Sequence, residues 1–191
     1  MRAETLVGQD TAVTGKLRLF SMYVDFAASA HARWATSAIT RLAGSRWQSS
    51  HEMWNLDALA ASGSVRTMIA RDAADADVLI VAATSLDQRE PKLIEWLDSL
   101  AAWKDNRPVA GMLVGMFGDE ENRAKELEWT VQQFIYCARQ MDRDLVVQWM
   151  ERDSLDYSDW LTVKVGALLA RKQVAHGGAM RPELAVGAGE I

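Results

Sequence analysis

The chain has 191 residues, of which 49% are apolar and 25% are charged, and its formal net charge is -5 at pH 7. This length and apolar content favour one globular domain with a full core. Cationic and anionic residues are interspersed, so no basic stripe is available to neutralise nucleic-acid phosphates. The composition therefore argues against a nucleic-acid partner.

Targeting and redox features predict a cytoplasmic protein without a membrane partner. The N-terminal segment MRAETLVGQDTAVTG lacks the apolar stretch of a signal peptide, and we expect residues 1–16 to be flexible. No apolar run approaches the roughly 18 residues that a bilayer-spanning helix needs. The single cysteine, Cys137, cannot form a disulfide within the chain.

The first predicted strand covers residues 17–26, where the sequence LRLFSMYVDF is largely apolar. A helix is predicted over residues 27–43, because apolar residues recur along one stripe and Gly44 then supplies a C-terminal cap. Residues 46–56 alternate less cleanly, and we interpret them as a strand at the edge of a sheet.

The middle of the chain contains the clearest buried strand. Ser62 is a candidate N-cap for a helix over residues 65–76. The apolar run at residues 77–83 is short and rich in β-branched residues, which predicts a strand buried on both faces. Pro91 suits the first turn of the third helix.

The last part of the chain predicts two more strand and helix pairs. The predicted strands cover residues 107–116 and 145–150, and the predicted helices cover residues 119–141 and 158–172. Residues 173–191 are rich in Gly and Ala and have no period, so we expect a flexible tail there. A single domain over residues 17–172 follows.

Five strands that are each followed by a helix predict a mostly parallel, doubly wound α/β sheet. Crossovers in such sheets are nearly always right-handed, and we expect the strand order 2-1-3-4-5. A domain of this order resembles the flavodoxin-like fold, and it is similar in length and element order to bacterial receiver domains. The resemblance covers about residues 17–172 and rests on topology, because no family motif is matched.

The predicted topology has a binding crevice beyond the carboxyl ends of the first and third strands, where the connections leave in opposite directions. Asp25 and Ser29 lie in the first of these loops, and Thr84 and Ser85 lie in the second. We interpret these four residues as candidate ligand-binding residues. Asp25 has a second interpretation, since a carboxylate there can simply accept N–H bonds from the following turn.

The receiver resemblance implies an acidic pair after the first strand, a phosphate-accepting aspartate after the third and a lysine after the fifth. This chain has a lone Asp25, then Ala-Thr-Ser at residues 83–85 and Met-Glu-Arg at residues 150–152. Phosphoryl transfer needs a carboxylate nucleophile and ligands for a divalent ion. We therefore predict a degenerate receiver-like site that phosphodonors leave unmodified.

Two other relatives imply ligand binding in the same crevice. A flavodoxin wraps the flavin phosphate with backbone N–H groups at a helix start, and here that loop runs from Asp25 to Ser29 without a glycine. The chain also resembles nucleoside deoxyribosyltransferases, which implies a carboxylate nucleophile in the helix after the third strand. Glu95 or Asp87 would then act with Asp25 as the second acid. Glu95 also fits a solvated helix face, and this interpretation is favoured because most carboxylates on helix surfaces do no chemistry.

The eight tryptophans are the most unusual compositional feature. Trp129 and Tyr136 lie at the margin of the core stripe of the fourth helix, and Trp160 begins the fifth. We expect these three aromatic residues to form an interface in a homodimer or with another protein.

The remaining reactive residues form no recognisable site. His31, His51 and His176 match no metal-ligand spacing, so no metal site is predicted, and no cofactor or catalytic residue is assigned. Cys137 is interpreted as a small buried apolar residue. We interpret the protein as a non-catalytic partner-binding or regulatory module. The alternative is a small-molecule enzyme or a nucleotide or flavin binder, with a small anionic or nucleotide ligand in the crevice.

Overall fold

The computed structural model describes residues 15–60, 62–84, 90–101, 110–118, 125–149 and 158–177. The strands are β1 (Gly15–Tyr23), β2 (Trp47–Asn55), β3 (Val78–Ala83), β4 (Gly111–Phe117) and β5 (Arg143–Trp149). The α-helices are α1 (Phe26–Ala43), α2 (Gly63–Asp75), α3 (Glu90–Ala101), α4 (Lys125–Gln140) and α5 (Ser158–Gly177). A short 3-10 helix (Leu56–Ala60) links β2 to α2.

The five strands form one parallel sheet in the order β2-β1-β3-β4-β5, which confirms the predicted fold class and strand order. Every residue of β3 and β4 is buried, whereas most residues of β2 and β5 are partly or fully exposed. This contrast follows from position, because central strands of a parallel sheet are covered on both faces. The edge position predicted for the second strand is also confirmed.

Helices cover both faces of the sheet and create two apolar cores. α1 and α5 pack on one face, and α2, α3 and α4 pack on the other. Because side chains alternate along a strand, β3 contributes Leu79 and Val81 to one core and Val78 and Ile80 to the other. Each such side chain stabilises the fold by about 1.5–3 kcal/mol on full burial. Within the described ranges, no helix is long and apolar enough to cross a bilayer.

Buried polar contacts connect helices α2 and α5 to the amino ends of the strands. Asp77 directly precedes β3 and is 1% exposed. Its carboxylate forms a buried ion pair with Lys172 of α5 and accepts the backbone N–H of Arg18 at 2.7 Å. Arg143, at the start of β5, donates to the carbonyls of the last turn of α2. These contacts tie the amino ends of β1, β3 and β5 to α5 and α2.

Several element ends differ from the predicted ones. β1 ends at Tyr23, three residues before the predicted limit, because Asp25 caps α1 and Phe26 already lies inside the helix. α5 continues to Gly177, so the predicted start of the tail at residue 173 falls within a helix. The predicted starts of the fourth strand and fourth helix, at residues 107 and 119, lie outside the described residues.

Candidate functional site

Asp25 joins the two loops at the carboxyl ends of β1 and β3. It is the N-cap of α1 in an extended conformation, and its carboxylate accepts the backbone N–H of Ala28 at 2.9 Å. The second carboxylate oxygen accepts the backbone N–H of Thr84 at 2.8 Å. The predicted proximity of Asp25 and Thr84 is therefore confirmed, while their role in ligand binding stays a prediction.

The local sequence explains why the helix starts at this point. Aspartate is one of the preferred N-cap residues, because its oxygen satisfies a backbone N–H that has no partner in the first turn. Its negative charge also lies at the positive end of the helix dipole. The backbone carbonyl of Asp25 accepts the N–H of Ser29 at 3.1 Å, which continues the helix from the capped turn.

Ser29 lies inside the first turn of α1 and is only 4% exposed. Its hydroxyl donates to the carbonyl of Phe26 at 2.6 Å and accepts from the guanidinium of Arg33 at 3.3 Å. The hydroxyl proton is therefore already used within the helix. Phe26 itself is 86% exposed beside the crevice, which is the largest exposure among the big apolar side chains described.

The loop after β3 is packed tightly against the loop after β4. Gly118 donates its N–H to the carbonyl of Ala83 at 2.9 Å. A Cβ at Gly118 would lie 2.3 Å from the carbonyl oxygen of Thr84, so only glycine fits this position without a shift of the backbone. Ser85, the fourth predicted ligand residue, lies outside the described residues, and so do the residues corresponding to the receiver lysine at 150–152.

Two histidines near α1 carry perturbed pKa values. Burial lowers the pKa of His31 below its usual value of 6.5, and the nearby charge of Asp25 partly opposes that change. Burial also lowers the pKa of His51. The Nδ1 atom of His31 is buried and has no hydrogen-bond partner among the described residues. Both imidazoles are therefore biased towards the neutral form near pH 6.5.

A hydrogen-bonded cluster beneath α1 was not anticipated from the sequence. The hydroxyl of Ser21 in β1 lies 3.0 Å from Nε2 of His51 and 3.3 Å from the hydroxyl of Thr36, which lies in α1. Thr36 is also 3.2 Å from the same imidazole nitrogen. Ser21 is 0% exposed, so no substrate can reach its hydroxyl, and the cluster joins β1, β2 and α1. The sequence signal for this cluster is the alternation of side chains along β1. This alternation places Ser21 on the α1 face of the sheet with Leu17 and Leu19.

The deoxyribosyltransferase resemblance implies a second carboxylate near Asp25, and the described residues do not place one there. Glu95 is exposed on α3, which packs on the opposite face of the sheet from α1. It borders a cavity between α2 and α3 and not the crevice. Asp87 lies outside the described residues.

Cys137 has the environment of a core residue. It is fully buried in α4, and its thiol donates to the Asp98 carboxylate at 3.3 Å. Burial, followed by this hydrogen bond, raises the pKa of the thiol to about 12. The thiolate needed for nucleophilic attack is thereby disfavoured. Among the described residues, no group of three or more His, Cys, Asp or Glu side chains is placed to hold a metal ion.

The predicted interface residues lie on the helices that flank the edge strand β5. Tyr136 is 54% exposed on α4. Trp129 lies in α4 and Trp160 in α5, but their side chains are outside the described part of the structure. The surface formed by the three aromatic residues therefore stays a prediction.

Comparisons with known proteins identify the fold. No family model matches the chain, and no curated protein matches it. Among solved structures, it is similar to a flavodoxin from Streptococcus pneumonia TIGR4, with a TM-score of 0.51 and 13% identity over 81% of this chain and 99% of that one. It is also similar to an oxidoreductase from Corynebacterium diphtheriae, with a TM-score of 0.51 and 10% identity over 85% and 98%. The chain has a flavodoxin-like fold, and at these identities the likeness shows the fold alone.

Proposed function

We propose that this protein is a non-catalytic, cytoplasmic partner-binding or regulatory module whose crevice is occupied by its own Asp25 carboxylate. The observation that carries the proposal is that Asp25 accepts the N–H groups of both Ala28 and Thr84. These are the groups at a helix start and a neighbouring loop that would otherwise bind an anionic ligand. The carboxylate thus acts as an internal substitute for a ligand phosphate.

Charge and geometry both disfavour a phosphate at this place. A phosphate would have to displace the Asp25 carboxylate from the start of α1 or bind next to it. Two like charges about 4 Å apart repel by roughly 4 kcal/mol at an effective dielectric constant of about 20. The Ser29 hydroxyl cannot help, because its proton is donated to the carbonyl of Phe26.

The protein partner in this proposal is a second copy of the chain or another protein that contacts the side near β5. The helices on that side expose apolar groups, since Tyr136 on α4 is 54% exposed and Val163 on α5 is 69% exposed. Among the described strands, β5 also lies at the edge of the sheet, with no neighbour on its far side. Exposed aromatic and aliphatic side chains beside an uncovered edge are typical of interaction surfaces.

A second candidate function is flavin or nucleoside binding through ring stacking, without a phosphate site. Phe26 favours it, because this ring is 86% exposed at the start of α1, beside the crevice. An exposed ring there can stack on a planar heterocycle. The solved structures that share this fold include a flavodoxin and an oxidoreductase, which is compatible with this candidate function.

A thermal-shift experiment with FMN and riboflavin separates the two candidates, because a ligand that binds the native state raises its apparent stability with concentration. For the regulatory module, neither compound changes the unfolding midpoint of the wild type. Stabilisation by both compounds supports ring stacking, and stabilisation by FMN alone contradicts the occupied phosphate position.

The matched variants are Asp25→Ser and Glu52→Ser, which remove the same charge from the crevice and from the exposed edge strand β2. Serine still caps a helix but leaves room for an anion. We expect only Asp25→Ser to gain stabilisation from FMN or from inorganic phosphate. A response of the wild type equal to that of Asp25→Ser would refute the role given to the carboxylate.

A further inference from the structure

A cavity of about 600 Å³ lies between α2, α3 and the 3-10 helix, away from the crevice. It occupies the sheet face opposite α1, and none of its lining residues belongs to the loops that contain Asp25 and Thr84. Small-molecule sites have volumes of about 300–1,000 Å³. The cavity is therefore large enough for a ligand and separate from the site described above.

The cavity exists because α2 presents small side chains to α3. Gly63, Thr67 and Ala70 are spaced at intervals of four and three residues, which places them along one side of the helix. A Cβ built on Gly63 would meet no atom within 4 Å. The space between the two helices is thus left open where longer side chains would normally fill it.

The inner wall of the cavity is formed by apolar side chains. Trp96 and Ala70 are 5% and 8% exposed, and Leu59 is partly buried against the same core. The indole Nε1 of Trp96 is buried and has no hydrogen-bond partner among the described residues. This atom has almost no accessible surface, so a ligand in the cavity contacts the apolar part of the Trp96 ring and not its N–H.

Among the described residues, the cavity lining carries two cationic side chains and one carboxylate. The cations are Arg66 on α2 and Lys92 on α3, which are both exposed, and the carboxylate is Glu95. None of these three side chains forms an ion pair with another described residue. An anionic ligand group can therefore pair with the two cations without displacing an existing partner.

We infer that the cavity between α2 and α3 binds a small organic carboxylate whose apolar part lies against Trp96, Ala70 and Leu59. The carboxylate pairs with the exposed side chains of Arg66 and Lys92 on the cavity lining. This goes beyond the proposed function and does not depend on it, because it gives the module a ligand at a place other than the crevice. The ligand binds non-covalently, and no reaction is proposed.

The test is ¹⁹F NMR of protein labelled with 5-fluorotryptophan, with Trp96→Phe used to assign the Trp96 signal among the eight tryptophans. The probes are phenylacetate and octanoate, compared with neutral phenylacetamide and cationic phenethylamine. We expect a saturable shift of the Trp96 signal with the carboxylates. The neutral and cationic compounds should bind at least about tenfold more weakly, corresponding to a loss of about 1.4 kcal/mol or more.

Two pairs of variants locate the binding site. Thr67→Phe fills the cavity, whereas Met68→Phe adds the same ring to a neighbouring exposed position outside its lining. We expect Thr67→Phe to weaken carboxylate binding about tenfold or more and Met68→Phe to leave it unchanged. Arg66→Gln with Lys92→Gln, both at exposed positions, should also weaken binding about tenfold, whereas Glu95→Gln should not weaken it.

Three outcomes would overturn the inference. The first is no saturable shift of the Trp96 signal with either carboxylate up to about 10 mM. The second is tighter binding of phenethylamine than of phenylacetate, because the charge preference would then be reversed. The third is equal binding by Thr67→Phe and Met68→Phe, because the ligand would then lie elsewhere.

Discussion

At the scale of single residues, Asp25 determines where α1 begins and links the loops after β1 and β3. One carboxylate oxygen caps the helix at Ala28, and the other accepts the N–H of Thr84 from the neighbouring loop. The sequence left two interpretations of Asp25 open, and the geometry provides the N–H partners that the structural interpretation requires. This residue connects stability to the proposed function, because the contacts that stabilise the fold are the same ones that the proposal assigns to the anion position.

The first prediction concerns the stability of Asp25 variants. Asp25→Ala removes a helix cap and an acceptor for Thr84, so we expect the free energy of unfolding to fall by about 2 kcal/mol. Asp25→Asn retains only one acceptor oxygen, and its loss should be about 1 kcal/mol. Urea denaturation measures both values. Equal stability of the wild type and Asp25→Ala would show that the two hydrogen bonds contribute little.

The second prediction concerns the histidines and pH. The pKa values of His31 and His51 should both lie below 6.5 in NMR titrations, because burial disfavours their charged forms. Asp25→Asn removes the charge that partly raises the pKa of His31, so this pKa should fall further while that of His51 stays constant. A rise in the pKa of His31 in this variant would contradict the account.

These lowered pKa values also set the direction of the pH dependence of stability. Below about pH 6.5, the unfolded chain binds more protons at the two histidines than the folded chain does. Their contribution to the free energy of unfolding is therefore present above this pH and declines as the pH falls through it. Replacing His51 and His31 with glutamine should make this decline shallower in urea denaturation between about pH 7.5 and 5.5.

At the scale of elements, the sequence predicted the existence and type of the strands and α-helices better than their ends, and it did not predict the 3-10 helix after β2. Gly44 was predicted to end α1, and it does so at a positive φ of 67° with its N–H donated to Thr40. Phe26 was placed in β1 because the apolar run continues through it, whereas the Asp25 cap puts it in α1. Ser62 does occupy the N-cap of α2, but its hydroxyl pairs with Ser64 instead of a backbone N–H. Caps depend on side-chain geometry that apolar periodicity does not contain.

The third prediction concerns the attachment of α5. The buried ion pair between Lys172 and Asp77 joins this helix to the start of β3. Lys172→Met leaves an unpaired buried carboxylate, so we expect a loss of about 3–5 kcal/mol in the free energy of unfolding. Arg171→Met is the control, because its ion pair with Asp144 is about half exposed and should contribute less than about 1 kcal/mol. Similar losses in the two variants would contradict a special role for the buried pair.

At the scale of the whole molecule, topology was predictable and cavities were not. The short apolar run that forms β3 and the repeated change of period were enough to predict a parallel sheet, because parallel strands need helical crossovers. The order expected for such a sheet is the one observed. The cavity depends on how Gly63 and Thr67 of α2 face Trp96 of α3, which is a tertiary relation between two separate helices. Glu95 was noticed in the sequence, but its position beside this cavity could not be read from a pattern along the chain.

The fourth prediction concerns self-association through the side near β5. We expect the wild type to associate at about 100 μM, and Trp129→Ala with Tyr136→Ala to weaken association about thirtyfold or more, because an aromatic interface residue typically contributes about 2 kcal/mol. Met68→Ala, at another exposed apolar position, is the control. A monomeric wild type in sedimentation equilibrium, or a double variant that associates unchanged, would place the interface elsewhere.

The central claim is that the Asp25 carboxylate occupies the place of a ligand anion in the crevice. The most direct measurement is an amide ¹H–¹⁵N NMR titration of the wild type with FMN, followed at the N–H groups of Ala28 and Thr84. Since both groups are already bonded to Asp25, we expect their resonances to remain unchanged up to about 1 mM FMN. A saturable shift of both resonances with FMN but not with riboflavin would show that a phosphate displaces the carboxylate, which would contradict the account.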